Sequence, residues 1–199
     1  MANDGYLHYQ LSEYKNRGEM VSLFVDDENP DDFIAGYVLG LNYRQVVIRS
    51  VSPVGRYDGL MGVSLGIVGA AIGEDEYALR LSRLLRLRAE EPGLPFACEP
   101  EEDLFHALLR LARDSGRVVT CWSGDSEITG FVAGVDDLRV RLDALDFFGQ
   151  NPQPVTLVLR DIDMISLDAE DERMYELLNA SSPAADVDAS SDTARTQPE

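Results

Sequence analysis

The amino-acid sequence repeats itself once, and that repeat constrains the fold more than any other feature, because it divides the chain into two short units of one design. In the first copy Leu7-His8 and Leu11 precede Gly18 and the run Val21-Ser22-Leu23-Phe24. In the second, Phe105-His106 and Leu109 precede Gly116 and Val119-Thr120-Cys121-Trp122. Further along, Ile34-Ala35-Gly36-Tyr37-Val38-Leu39-Gly40 matches Ile128-Thr129-Gly130-Phe131-Val132-Ala133-Gly134, and Val46, Ile48 and Gly55 match Val140, Leu142 and Gly149. Two glycines, the aromatic between them and the apolar alternation recur in order, so the 199 residues read as two small domains in tandem.

Each unit opens with a helix. Leu7, Leu11 and Tyr14 recur at helical spacing behind Asn3 or Asp4 as N-cap, and in the second copy Pro100, Glu101, Glu102 and Asp103 occupy the first turn before Phe105, Leu108, Leu109 and Ala112. Gly18 and Gly116 suit the left-handed residue that ends a helix. Strand-length runs follow, near 20–26, 33–41, 45–52, 59–66 and 67–72, then 117–123, 127–135, 138–146, 154–160 and 161–167. Five short antiparallel strands bury one face by curling, with Gly36 and Gly130 as bend points in the long second strand. The expected fold is therefore mainly β with flanking helices: two tandem five-stranded barrels, each preceded by an N-terminal helix. Residues 1–89 make the first unit, which closes on an arginine-bearing helix from Glu74 to Arg88. Residues 90–99 make a Pro-containing linker and 100–178 the second unit, ending in a helix from Glu170 to Leu178. From Asn179 to Glu199 large apolar residues are nearly absent, and an acidic tail too poor in burial to offset its ordering entropy is expected to be disordered.

The formal net charge is -19, a field that repels phosphate backbones and disfavours nucleic acid except at a local basic patch. Lys15 is the only lysine, which points to coding bias rather than to selection for bidentate anion contacts. No run reaches the roughly 18 apolar residues of a membrane span, and Met1-Ala2-Asn3-Asp4-Gly5 lacks the basic start of a signal peptide, so a cytoplasmic protein without membrane contact is expected. Cys98 and Cys121 fit neither a disulfide framework nor metal spacing. No cofactor is implied.

A helix followed by a barrel whose second strand carries a central glycine and turns tightly into an apolar third strand resembles the Sm-like family, in its Hfq-type outline and also in the broader SH3-like sense. The resemblance covers the helix and first three strands of each unit, including Phe33 to Ser50 and Glu127 to Ala144. It implies ring-forming units that bind single-stranded RNA through the turns between strands 2 and 3 and between strands 4 and 5. At those positions the chain departs from the family: Asn42-Tyr43-Arg44 and Asp136-Asp137-Leu138 form the first turns, with the acid kept only in the second copy. Ser64-Leu65-Gly66 and Val158-Leu159-Arg160 stand where the Hfq branch has Tyr-Lys-His.

The candidate contact residues are Tyr43 and Arg44, Arg56 and Tyr57, and Arg80 and Arg83, since each set joins a cation to an aromatic or lies on the arginine helix. Tight turns, and ion pairing of the helix with Glu74, Asp75, Glu76, Glu90 and Glu91, account for the same residues without a ligand. His8 and His106 occupy equivalent helix positions, and Asp161 and Asp163 lie two apart on an expected strand; surface placement explains both pairs more simply than a metal. Gly62-Val63-Ser64-Leu65-Gly66 has the letters of a nucleophile elbow without its strand and helix context. The leading expectation is thus a non-enzymatic binding or assembly module, with a protein partner or self-association as a pseudo-dimer or ring. The alternatives are an Hfq-like RNA binder with relocated contacts and, more weakly, an enzyme with a site between the barrels.

Overall fold

The computed structural model describes residues 4–25, 33–73, 75–99 and 102–181. The first unit comprises helix α1 (Asp4–Arg17), strands β1 (Met20–Phe24), β2 (Phe33–Leu41), β3 (Gln45–Val51), β4 (Tyr57–Ser64) and β5 (Ala70–Gly73), and helix α2 (Glu76–Arg88). The second comprises α3 (Leu104–Ser115), β6 (Val118–Ser123), β7 (Ser126–Val135), β8 (Arg139–Ala144), β9 (Gln153–Val158), β10 (Met164–Leu167) and α4 (Glu170–Ala180). The fold is mainly β with flanking helices. No helix among the described residues is long and apolar enough to cross a membrane.

All ten strands belong to one antiparallel sheet in the order β5-β1-β2-β3-β4-β10-β6-β7-β8-β9. Each unit contributes five neighbours in the same internal order, and the two sets are joined where β4 pairs with β10, from Met164 opposite Val63 to Leu167 opposite Leu60. The register of the second strand on the third repeats in both copies. Gly36 lies opposite Ser50 and Gly130 opposite Ala144, and a register shift follows in both copies, between Val38 and Gly40 and between Val132 and Gly134. A Cβ on Gly36 would come within 2.2 Å of the Arg49 carbonyl oxygen, and one on Gly130 within 2.3 Å of that of Asp143. Glycine therefore lets the long strand bend tightly against its neighbour, as its place in the sequence suggests.

The helices sit where the caps put them. Gly18 and Gly116 hold φ near +63° and +64°, a left-handed turn that releases the chain from α1 and α3 into the sheet. Helix α3 starts later than its first-turn acids imply: the Asp103 carboxylate accepts the Phe105 and His106 amides and so acts as N-cap, which leaves Glu102 outside the helix. Pro100 and Glu101, the alternative cap Asn3, Glu74 at the start of the arginine helix, and the tail from residue 182 lie outside the described residues. The Asp161–Asp163 pair is also corrected. Asp161 ends a 3₁₀ turn (Leu159–Asp161) and β10 begins only at Met164, so the two acids do not share a strand face.

Three apolar clusters hold the fold. One lies inside the first unit, with Leu11, Val21, Leu23, Val46, Ile48 and Val63, and a second seats α2 through Ala78, Leu81 and Leu85 on Met20, Ala35 and Val51. The third crosses between the units: Val47 and Leu60 of the first pack with Leu104, Phe105, Leu108 and Leu109 of α3 and with Val140, Leu142 and Ile165. The linker is part of this joint. Leu94, Phe96 and Cys98 pack against the shared cluster, and the buried Arg49 guanidinium donates to the Pro92 carbonyl and, at 2.7 Å, to that of Leu94. Burial lowers the Arg49 pKa from its ordinary value, with Tyr57 and Asp168 opposing the shift.

Candidate functional site

The β2–β3 turn of the first unit is shaped by one side chain. The Asn42 Oδ1 accepts the amides of Arg44 at 2.9 Å and Gln45 at 2.8 Å, the local bond by which Asx residues make turns. In the second unit Asp136 Oδ1 accepts the Leu138 and Arg139 amides, both at 2.8 Å. The amide and the carboxylate thus build the same turn, although only one carries charge. These two amide bonds are the main reason the Asp136 carboxyl is held below the ordinary carboxylate range.

Gln45 then ties the turn to the second unit. Its Oε1 accepts the Leu104 amide at 2.8 Å, and its Nε2 donates to both Asp103 carboxylate oxygens at 3.2 Å. Asn42 Nδ2 adds a bond of 3.2 Å to the Glu102 carbonyl. Four hydrogen bonds from two side chains therefore fasten the start of α3 onto the turn of its neighbour.

Beside this joint opens a cleft of about 520 Å³. The first unit supplies Arg44, Gln45 and Ser64; the second supplies Leu138, Arg139 and Val158, which are the equivalent positions one repeat later, together with Arg160. Phe105, Leu159 and Ile162 are buried among its walls, and Asp103 and Asp137 complete the lining. Three arginines against two aspartates make the cleft locally cationic in a chain of net charge -19. Arg44 meets Asp103 at 3.5 Å and Arg160 meets Asp161 at 3.3 Å. Both arginines are largely exposed, so these pairs hold them weakly and leave them able to turn toward an anion.

Tyr43 and Arg44 share the turn, but only Arg44 lines the cleft; the exposed Tyr43 ring stacks on His8 with centroids 4.6 Å apart. Arg56 and Tyr57 are also neighbours, but they line a separate hollow of balanced charge, with Arg49 and Arg173 beside Glu90, Glu91 and Asp168, and Arg56 pairs with Glu90 at 3.7 Å. The seven residues of β3 separate the two sets, about 20 Å at the usual rise of a strand. Arg80 and Arg83 are exposed on α2, whose other face packs on the second cluster. The six expected contact residues thus divide among three places. His8 and His106 stay each with its own unit, His8 on Tyr43 and His106 near Asp136. Asp163 accepts the Gly124 amide, and Asp161 pairs with Arg160. Cys98 and Cys121 are both free, and burial pushes the Cys121 thiol up to about 12, which makes it an inert core group.

Sequence reasoning missed Gln45, Ser64, Asp103, Phe105, Arg139 and Arg160. Aligning Arg44-Gln45 with Leu138-Arg139 was possible from the repeat; their meeting across one cleft required the pairing of β4 with β10. A scan of protein-family models, a search of curated proteins and a search of solved structures each returned no match.

Proposed function

We propose that the protein is a non-enzymatic binding module in which two Sm-like barrels, paired edge to edge within one chain, present the cleft between them to a protein partner. The observation that carries this reading is the convergence of equivalent positions, Arg44-Gln45-Ser64 and Leu138-Arg139-Val158, on one cleft that neither unit forms alone. The repeated strand order supports the Sm-like assignment, since each unit has its fifth strand beside its first and its fourth strand at the opposite end. Small barrels of this kind associate by pairing edge strands of neighbouring units, and here β4 of the first unit pairs with β10 of the second.

A second reading is RNA binding at the same cleft, favoured by the three arginines and by the exposed Tyr43 ring beside Arg44. One experiment separates the two. Affinity capture from nuclease-treated lysate with the wild type and with an Arg44→Glu, Arg139→Glu, Arg160→Glu variant is expected to yield a protein retained only by the wild type. Retention unchanged in the variant overturns the cleft as the site. In parallel, anisotropy of a labelled single-stranded oligoribonucleotide is expected to stay flat, and saturable binding lost in the variant would replace the first reading with the second.

A further inference from the structure

The sheet has two outward edges among the described strands, β5 at one end and β9 at the other. They are the same two edges that meet inside the chain as β10 and β4, so the internal junction shows what a contact between two copies would require.

At that junction the Ser64 amide donates to the Asp163 carbonyl at 2.8 Å. Amide directions alternate along a strand, so the amides of Gly62 and Leu60 also turn to β10, toward Ile165 and Leu167, which lie opposite them. Above this ladder α3 lies close. A Cβ on Gly62 would come within 2.6 Å of Leu108 Cδ1, and Gly40 has Leu104 within 3.2 Å. Gln45, Val47, Arg49, Leu60 and Gly62, which form this face of β3 and β4, are all buried.

The free ends depart from this pattern residue by residue. Pro154 takes the place of Leu60, as the register of Asp143 with Pro154 and of Arg49 with Leu60 shows. The Leu159 amide donates inward to Leu138, as Leu65 does to Arg44, so position 154 faces the open edge and proline removes the donor needed there. Thr156 replaces Gly62 and Arg141 replaces Val47. A β-branched side chain and a guanidinium thus fill the space in which the helix would seat. At the other end Gln10 stands where α3 has Leu108, and its Nε2 donates at 3.1 Å to the Ala71 carbonyl. Ala71 is the equivalent of Ile165, so the acceptor that an incoming strand would use is already occupied.

We infer that the chain is a self-terminated pair, whose β9 and β5 edges are closed to a second copy by Pro154, Thr156 and Arg141 on one side and by Gln10 on the other. The inference rests on the sheet edges alone and is independent of what the cleft binds. A proline on an open edge is a known means of blunting strand addition, and the Gln10 bond acts to the same end by occupying an edge acceptor.

Light scattering after size exclusion tests it. The wild type is expected at the 22.0 kDa of one chain at every concentration. A Gln10→Leu, Arg141→Val, Pro154→Leu, Thr156→Gly variant, which restores the residues of the internal junction, is expected to give species of twice that mass or more. A wild type that forms dimers or rings, or a folded variant that stays at one chain, overturns the inference. Amide hydrogen exchange on the wild type decides the matter even if the variant does not fold. The outward amides of Thr156 and Val158 should exchange fast while those of Leu60, Gly62 and Ser64 are protected, and protection of Thr156 that grows with concentration overturns it.

Discussion

The β3–β4 face of the first unit and the β8–β9 face of the second have the same register and opposite fates. Gln45, Val47, Arg49, Leu60 and Gly62 are buried under α3 and the linker, whereas their equivalents Arg139, Arg141, Asp143, Pro154 and Thr156 are all exposed. Duplication gave both faces one backbone. What separated them is the side-chain set that one joint demands and a solvated surface does not: small and apolar where a helix must approach, charged or bulky where it must not. The helices show the same division, with Leu104, Ala107 and Leu108 buried on α3 where α1 carries the exposed Tyr6, the exposed Tyr9 and the half-buried Gln10.

The comparison can be broken most severely at the helix. Leu108→Ala removes a side chain with no exposure from the cluster shared by both units, and is expected to cost about 2–5 kcal/mol in urea unfolding, whereas the equivalent Gln10→Ala should cost under about 1 kcal/mol. Equal losses would mean that α3 is no more committed to the joint than α1 is to the surface. Arg49→Ala comes next. It unfastens the linker carbonyls of Pro92 and Leu94 and should cost about 1–3 kcal/mol with faster proteolysis of the linker, against about 0.5 kcal/mol or less for Asp143→Ala at the equivalent position.

The smallest effect concerns the two turns. The Asp136 carboxyl is held below its ordinary value by the Leu138 and Arg139 amides. Its ionisation therefore stabilises the fold above the usual carboxylate range, and that contribution is lost as pH falls through the lowered folded value. Asp136→Asn should narrow the difference in unfolding midpoint from wild type on acidification. Asn42→Asp should bring the same acid dependence into the first turn, where none is expected now. A pH-independent difference at both turns would remove the charge from the account and leave only the shared geometry.

Much of the fold was legible because its signals are local. The apolar alternation of Val21 to Phe24 and of Val119 to Trp122, the bend glycines Gly36 and Gly130 and the cap glycines Gly18 and Gly116 each act within a few residues. Where the local reading slipped, a competing local bond was responsible, as when the Asp103 carboxylate capped α3 and moved its start to Leu104. The candidate site was less legible. Tyr43 and Arg44 were visible as a turn, but Gln45 looks like an ordinary strand residue until its amide is found holding the Leu104 amide and the Asp103 carboxylate of the other unit. Arg139 and Arg160 gave no signal of their own, being single exposed cations in an acidic chain.

The sequence by itself therefore determined that there are two units, that each is a helix followed by five short strands, and where those strands bend. These follow from periodicity and from glycines placed where a left-handed turn or a close backbone approach favours them, signals that a short segment carries within itself. The tertiary structure alone decided that β4 takes β10 as its neighbour, that the linker is clasped by Arg49, and that the two turns share a cleft. Pairing between edges is set by which donors face outward and what lies above them. For Leu60 and Pro154 that difference appears only when both strands are placed in the same sheet.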